Sequence, residues 1–203
     1  MTPDEFQQLA SKRSSVELLK PCLRDDVTPY VFVPEPNKWD IFRDVFVSRL
    51  QVSRENITVV GSARFGFSLK PGNNLRSFSD TSDIDVIIVD SSMFDRLWLA
   101  LLDVAYPRPP VTQHLGGWLA ARRNEVYTGW LTPLEVRLDA KIYGSKAKPV
   151  LEFNTHWFNT FKEASRHPPR RHKDVNGRLY RTWEHAELYH LDSLATLRKS
   201  LTI

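Results

Sequence analysis

Two short stretches bring together residue types that can do chemistry. Val59-Val60-Gly61-Ser62 ends an apolar, β-branched run in a glycine and a hydroxyl, and Ser82-Asp83-Ile84-Asp85-Val86-Ile87-Ile88-Val89 opens a second apolar run with two carboxylates. Side chains of a strand alternate between faces, so Asp83 and Asp85 share one side while Ile84 and Val86 share the other. Two adjacent carboxylates repel, and each raises the pKa of its neighbour unless a cation sits between them. A hard divalent ion with oxygen ligands resolves that conflict and keeps coordination positions open for phosphate: Mg²⁺ first, Mn²⁺ as the alternative, one or two ions. Gly61 lets the backbone turn tightly and approach a ligand, and Ser62 supplies a hydroxyl. Either half alone is more often a turn or a solvated strand end. Together, each beside a β-type run, they point to a site that holds a nucleotide phosphate against metal.

The elements that must position these groups can be read from periodicity and breakers. Residues 3–11 predict a short helix, followed by a polar stretch marked by prolines. Residues 39–50 predict a longer helix, with Phe42, Val45, Phe46 and Leu50 on one face. The strands carrying the motif span 57–61 and 84–89. Between them, Lys70-Pro71-Gly72-Asn73-Asn74-Leu75-Arg76-Ser77-Phe78-Ser79-Asp80 is rich in turn formers and reads as an inserted loop. That loop either contacts substrate through Lys70 and Arg76 or is a surface excursion. Ser92-Met93-Phe94-Asp95 resembles a capping box opening a helix with Phe94, Leu97, Trp98 and Leu101 on its face, and Pro107-Arg108-Pro109-Pro110 breaks the chain. Residues 114–127 predict a helix carrying Arg122 and Arg123.

Further along, residues 134–143 alternate like a strand. Val136, Leu138, Ala140 and Ile142 fall on one face, and Glu135, Arg137, Asp139 and Lys141 on the other. Such a charged face is more often a solvated edge with cross-strand ion pairs than a metal site. The rest reads as helical. Trp157, Phe158 and Phe161 suit core packing in one helix, and residues 182–201 form another with Trp183, Ala186, His190, Leu194, Leu197 and Leu201 near helical spacing. His185 and His190, at i, i+5, carry no metal-ligand signature and read as surface or half-buried residues. The expected fold class is α+β: a small mixed or antiparallel sheet flanked by helices. The expected organisation is one domain over 1–203, with a core over about 38–145 and a basic helical extension over about 150–203.

Composition sets the outer bounds. At 203 residues, with 41% hydrophobic and 26% charged residues, the chain is long enough for one sizeable core. No apolar run reaches the ~18–20 residues that span a bilayer, and the first residues lack the pattern of a signal peptide. A lone cysteine, Cys22, suits a reducing compartment, so a cytoplasmic location without membrane attachment is expected. Charge is uneven. Residues 1–100 hold 12 Lys/Arg against 14 Asp/Glu, and residues 101–203 hold 16 against 10. The basic density peaks at Arg166-His167-Pro168-Pro169-Arg170-Arg171-His172-Lys173, with Arg178 and Arg181 close behind. That patch is either a phosphate-binding surface, for RNA or a triphosphate tail, or a solvated linker.

The segment 57–89 resembles the nucleotidyltransferase fold of the DNA polymerase β superfamily. That pattern is an apolar residue, Gly, Gly or Ser, a gap, then Asp-x-Asp between apolar residues; Val60, Gly61, Ser62, Asp83, Ile84, Asp85 and Val86 match it. Gly61-Ser62-Ala63-Arg64-Phe65-Gly66-Phe67-Ser68-Leu69 with Ser79-Asp80-Thr81-Ser82-Asp83-Ile84-Asp85 is also similar to small bacterial nucleotidyltransferase-domain proteins. The gap filled by residues 63–82 is longer than the dozen or so usual in that family. The resemblance implies a polymerase β-type fold and an enzyme moving a nucleoside monophosphate from a nucleoside triphosphate such as ATP to a hydroxyl of RNA, protein or a nucleotide. It implies Asp83 and Asp85 as metal ligands, Gly61, Ser62 and Arg64 as phosphate contacts, and Lys141 or the 170–173 cluster as further counter-charges. It also implies a third catalytic and metal-binding carboxylate from a later strand beside the Asp-x-Asp strand; Asp139 is the candidate and Glu135 the alternate. Two other readings stay open: a module that binds nucleotide or RNA without turnover, and a purely structural interaction protein.

Overall fold

The computed structural model describes residues 1–23, 27–106, 113–133, 144–168 and 174–201. Helices α1 (Pro3–Lys12) and α2 (Ser15–Leu23) come first, then a single 3-10 turn and α3 (Asn37–Leu50). Strand β1 (Ile57–Val60) runs into the four-residue α4 (Ser62–Phe65), and β2 (Ile84–Val89) into α5 (Ser91–Ala105). After α6 (Gln113–Tyr127) and the short β3 (Trp130–Leu131) come α7 (Lys148–Ala164), β4 (Val175–Tyr180) and α8 (Trp183–Leu201). The class is α+β, with a mixed four-stranded sheet in the order β1-β2-β4-β3. Strand β2 pairs antiparallel with β1 and parallel with β4, and β3 pairs antiparallel with β4. Among the described residues no helix is long and apolar enough to cross a membrane.

The sheet separates two cores, and the alternation along β2 shows how. Ile84, Val86 and Ile88 face a layer built from Phe42 and Phe46 of α3, Phe94 and Leu97 of α5, and Trp157 and Phe161 of α7. Ile87 and Val89 face the other layer, with Phe6 and Ala10 of α1, Leu18 and Leu19 of α2, and Leu194 and Leu197 of α8. A strand covered on both faces must be apolar on both, so a carboxylate is tolerated only where the cover stops. Asp85, the second residue of β2, is the strand's one exposed position. Tight starts fix the flanking helices: Thr2 and Glu5 form a capping box on α1, and Asp90 accepts the Met93 N–H at 2.6 Å to open α5. The α5 cap thus lies two residues ahead of the Ser92 expected from sequence.

Residues beyond 150 are not all helical, contrary to expectation. Strand β4 enters the middle of the sheet, between β2 and β3. Its Val-Asn-Gly-Arg-Leu-Tyr sequence hides the period because Gly177 takes a core-facing place. The Phe161 ring of α7 fills that space: a Cβ on Gly177 would lie 2.0 Å from the ring's Cζ and 2.3 Å from Cε1. Ring and strand are therefore fitted to each other, with α7 packed directly over the β4 backbone. Helix α2 also departs from the polar stretch expected there. Ser14 and Glu17 cap each other, the Ser14 N–H reaching Glu17 Oε2 at 2.7 Å and the Glu17 N–H reaching Ser14 Oγ at 3.3 Å.

Gly177→Ala is expected to cost about 1–3 kcal/mol of stability, since the buried Phe161 ring that would have to yield is itself packed against Phe46 and Trp157. Urea unfolding of G177A in wild-type and Phe161→Leu backgrounds checks the cause. Overpacking requires a smaller loss in the F161L background; equal losses in both would assign the cost to the β4 backbone instead.

Candidate functional site

The sheet topology gathers the motif residues at one end of the α1/α2/α8 face. Val60 pairs with Asp85 across the β1–β2 ladder, so the turn that follows β1 begins beside the carboxylate. Gly61 makes that turn with φ 64° and ψ −145°, a conformation open essentially only to glycine. A Cβ there would come 3.8 Å from Asp85 Oδ2. The Arg64 and Phe65 N–H groups then bond back to the Gly61 carbonyl at 3.1 and 3.3 Å, starting α4. Gly61, Ser62, Asp83 and Asp85 all line one cavity of about 570 Å³. Its other walls come from residues 68–82, from β4 and from α8.

The Asp85 carboxyl is held above its ordinary value, first by loss of water around it, second by the Asp83 charge, with Arg178 pulling partly the other way. The carboxylate opens into the cavity, but the surrounding walls remove much of its bulk solvent. Asp83 and Asp85 present hard oxygen donors of the kind that could hold a divalent cation, and a cation there would relieve the repulsion that helps raise Asp85. Among the described residues no group of three or more His, Cys, Asp or Glu side chains gathers around a potential metal position. Asp139, Glu135 and Lys141 lie outside the described residues, as does the 169–173 part of the basic cluster.

On its other side β2 pairs with β4, and the residue in register with Asp85 is Asn176. Its Nδ2 donates to Asp83 Oδ2 across a long 3.4 Å. Two residues on, Arg178 faces the same cavity between two aromatic rings, its Cζ 4.3 Å from the Trp130 centroid and 4.4 Å from that of Tyr189. It also donates to the Tyr180 hydroxyl at 3.4 Å. Burial pushes Tyr180 up to about 12 despite the neighbouring Arg178. His190 is driven the opposite way, down to about 4, by burial and then by the Arg178 charge, so its imidazole is neutral at physiological pH.

No family model, curated protein or solved structure matches this chain. Gly61, Ser62, Asp83 and Asp85 are brought together. Arg64 is not: it is buried, donates to Thr58 Oγ1 at 3.1 Å, and does not line the cavity. His185 is likewise engaged elsewhere, with its Nδ1 2.8 Å from Thr182 Oγ1. Arg178, read in sequence only as part of a basic cluster, stands beside the acidic pair. Asn176, Tyr189, His190 and Ser193 complete the walls, and no local motif marks them because they converge from β4 and α8.

The raised Asp85 pKa has a defined consequence for stability. Below its unfolded value of about 3.8 the group is protonated in both states and costs nothing. As pH rises through the higher folded value, the native state must give up a proton it holds more tightly, and stability falls. Asp85→Asn is therefore expected to raise the Tm at neutral pH, with the gain vanishing at pH 3–4. Mg²⁺ should stabilise wild type at neutral pH and D85N far less. Thermal unfolding across pH with and without Mg²⁺ checks both, and a pH-independent D85N effect would contradict the charge assignment.

Proposed function

We propose that the chain is a metal-dependent nucleotidyltransferase, with a fold of the DNA polymerase β type, that moves a nucleoside monophosphate from a nucleoside triphosphate to a hydroxyl acceptor. One observation carries this reading: the Gly61 turn and the Asp83/Asp85 pair, more than twenty residues apart in sequence, meet in the lining of one cavity sized for a small ligand. Mg²⁺ held by Asp83 and Asp85 would supply charge neutralisation at the phosphates and at the pyrophosphate leaving group. The Ser62 hydroxyl donates to a phosphate oxygen, and the Gly61 turn keeps side-chain bulk away from it. Arg178, fixed between two rings, adds a cation whose position needs no reordering when an anion arrives. The acceptor oxygen bonds to the α-phosphorus as the bond to pyrophosphate breaks. Its proton passes to Asp139 in the assignment the resemblance implies.

A second reading rests on Asn176. Both neighbours of β2 are taken, by β1 and β4, and opposite Asp85 on β4 stands an amide rather than a carboxylate. An amide does not accept the acceptor's proton as a carboxylate does, which favours a module that binds metal nucleotide without turnover. The acceptor, RNA or protein, and the role of the basic C-terminal half belong to the same proposal.

Incubation with each α-labelled nucleoside triphosphate, Mg²⁺ or Mn²⁺, and cellular RNA or protein separates the two. The transferase reading expects incorporation that falls at least about 100-fold in Asp83→Ala and Asp85→Ala. Mg²⁺-dependent nucleotide binding without incorporation by wild type would leave the binding module. Neither binding nor incorporation would sink both.

A further inference from the structure

The long segment between the two halves of the motif is a built hairpin. Phe67 and Ser77 form an antiparallel bridge, the Ser68 N–H donates to the Arg76 carbonyl at 2.8 Å, and the Phe78 N–H to the Gly66 carbonyl at 2.7 Å. Its tip is closed by the Asn73 N–H on the Lys70 carbonyl at 3.1 Å and by Asn73 Nδ2 on Ser68 Oγ at 3.0 Å. Three buried apolar side chains hold it down: Phe67 and Leu75 in the core layer of α1, α2 and α8, and Phe78 in the opposite one. Leu75 takes a left-handed φ of 53° next to Asn74 at 46°, a backbone cost that its buried side chain must offset. A tolerated excursion would not require such anchoring.

The anchoring fixes where two cations stand. Lys70 and Arg76 both line the cavity that holds Asp83 and Asp85, and both side chains are solvent-exposed. Among the described residues neither makes an ion pair. The cavity wall thus has two contributions of different character: the hairpin supplies Lys70, Asn73 and Arg76, and α8 supplies Tyr189, the neutral His190 and Leu194, with Asp83 and Asp85 in the same lining. A ligand that is anionic in one part and aromatic in another matches that pairing.

The geometry points to the 67–77 hairpin as the grip for the polyphosphate tail of a nucleoside triphosphate, with Lys70 and Arg76 as its two contacts and the base directed toward α8. This inference rests on the nucleotide reading of the cavity. The tail is bound at the hairpin so that the α-phosphate lies toward Asp83 and Asp85. Lys70 and Arg76 thereby act as specificity-determining residues that distinguish triphosphate from monophosphate.

Calorimetric titration of the full chain tests it with Mg²⁺ and three probes: a nucleoside triphosphate, its monophosphate and inorganic tripolyphosphate. Wild type is expected to prefer the triphosphate to the monophosphate. Lys70→Ala and Arg76→Ala should each weaken triphosphate and tripolyphosphate binding about five- to ten-fold, leave the monophosphate unchanged, and unfold at the wild-type temperature. An unchanged preference in the double variant overturns the inference, as does absence of tripolyphosphate binding by wild type. A double variant that instead loses a single-stranded RNA 20-mer while keeping the triphosphate also overturns it. Its fate is separable from that of the transferase reading. Tripolyphosphate binding that needs the hairpin, without incorporation and without dependence on Asp83, sustains the grip and removes the enzyme; incorporation that ignores Lys70 and Arg76 does the reverse.

Discussion

The parallel pairing of β2 with β4 is the constraint on which the rest of the molecule depends. Parallel neighbours cannot be joined by a tight turn, so the chain between Val89 and Val175 must leave the sheet, cover a face and return. That excursion contains α5, α6, β3 and α7, and it deposits the Phe94, Trp157 and Phe161 layer against Ile84, Val86 and Ile88. The same register brings Asn176, Arg178 and Tyr180 alongside Asp85, Ile87 and Val89 on the other face. Core and cavity are therefore two sides of one pairing. The Gly177 gap receiving Phe161 holds the register on the core side, and so also fixes which β4 residues the carboxylates meet.

Charge in the cavity is arranged by position more than by amount. Asp83 and Asp85 stand at the strand entrance, where cover by α1, α2 and α8 ends, and their mutual repulsion is left for a ligand to relieve. Arg178 eases Asp85 but does not cancel it, because the guanidinium is held over Trp130 and Tyr189 by ring contacts. Its hold on position is thus independent of the carboxylates. It is free to answer an anion while the carboxylates answer a cation. His190, kept neutral beside it, adds a polar edge without adding charge.

Much of this was legible locally, and the remainder was hidden for physical reasons. The β1 and β2 strands, α3, α5, and the face shared by Asp83 and Asp85 follow from apolar period and flanking turn residues, since each is a continuous segment whose own pattern decides it. Strand β4 was obscured because a glycine occupies one of its inward places and the ring that fills it comes from α7. Helix α2 carries a Ser14-x-x-Glu17 cap that announces it, but Pro21 in its last turn argues against a helix. The resemblance implies Arg64 as a phosphate contact, whereas the α4 turn buries its side chain on Thr58 Oγ1, a direction that linear spacing does not encode. Arg178 stands in the sequence only beside a basic patch and His190 only on a helix face; their meeting with Tyr189 in one wall has no sequence signature, because that wall is built from two distant elements.

The exchange of a carboxylate for an amide beside Asp85 bears on what the cavity is built to do. A third carboxylate at the Asn176 position would add another negative charge next to a pair already short of water, and would raise Asp85 further. Asn176 instead donates toward Asp83 across 3.4 Å and adds no charge of its own. With Arg178 two residues further along the same strand, the described residues at this end of the sheet set an amide and a guanidinium beside the two carboxylates. On the proposed reading, one ion is enough to seat a triphosphate. The second ion, which would activate the attacking hydroxyl, then needs a carboxylate from outside the β2–β4 register, so binding and turnover draw on different parts of the chain.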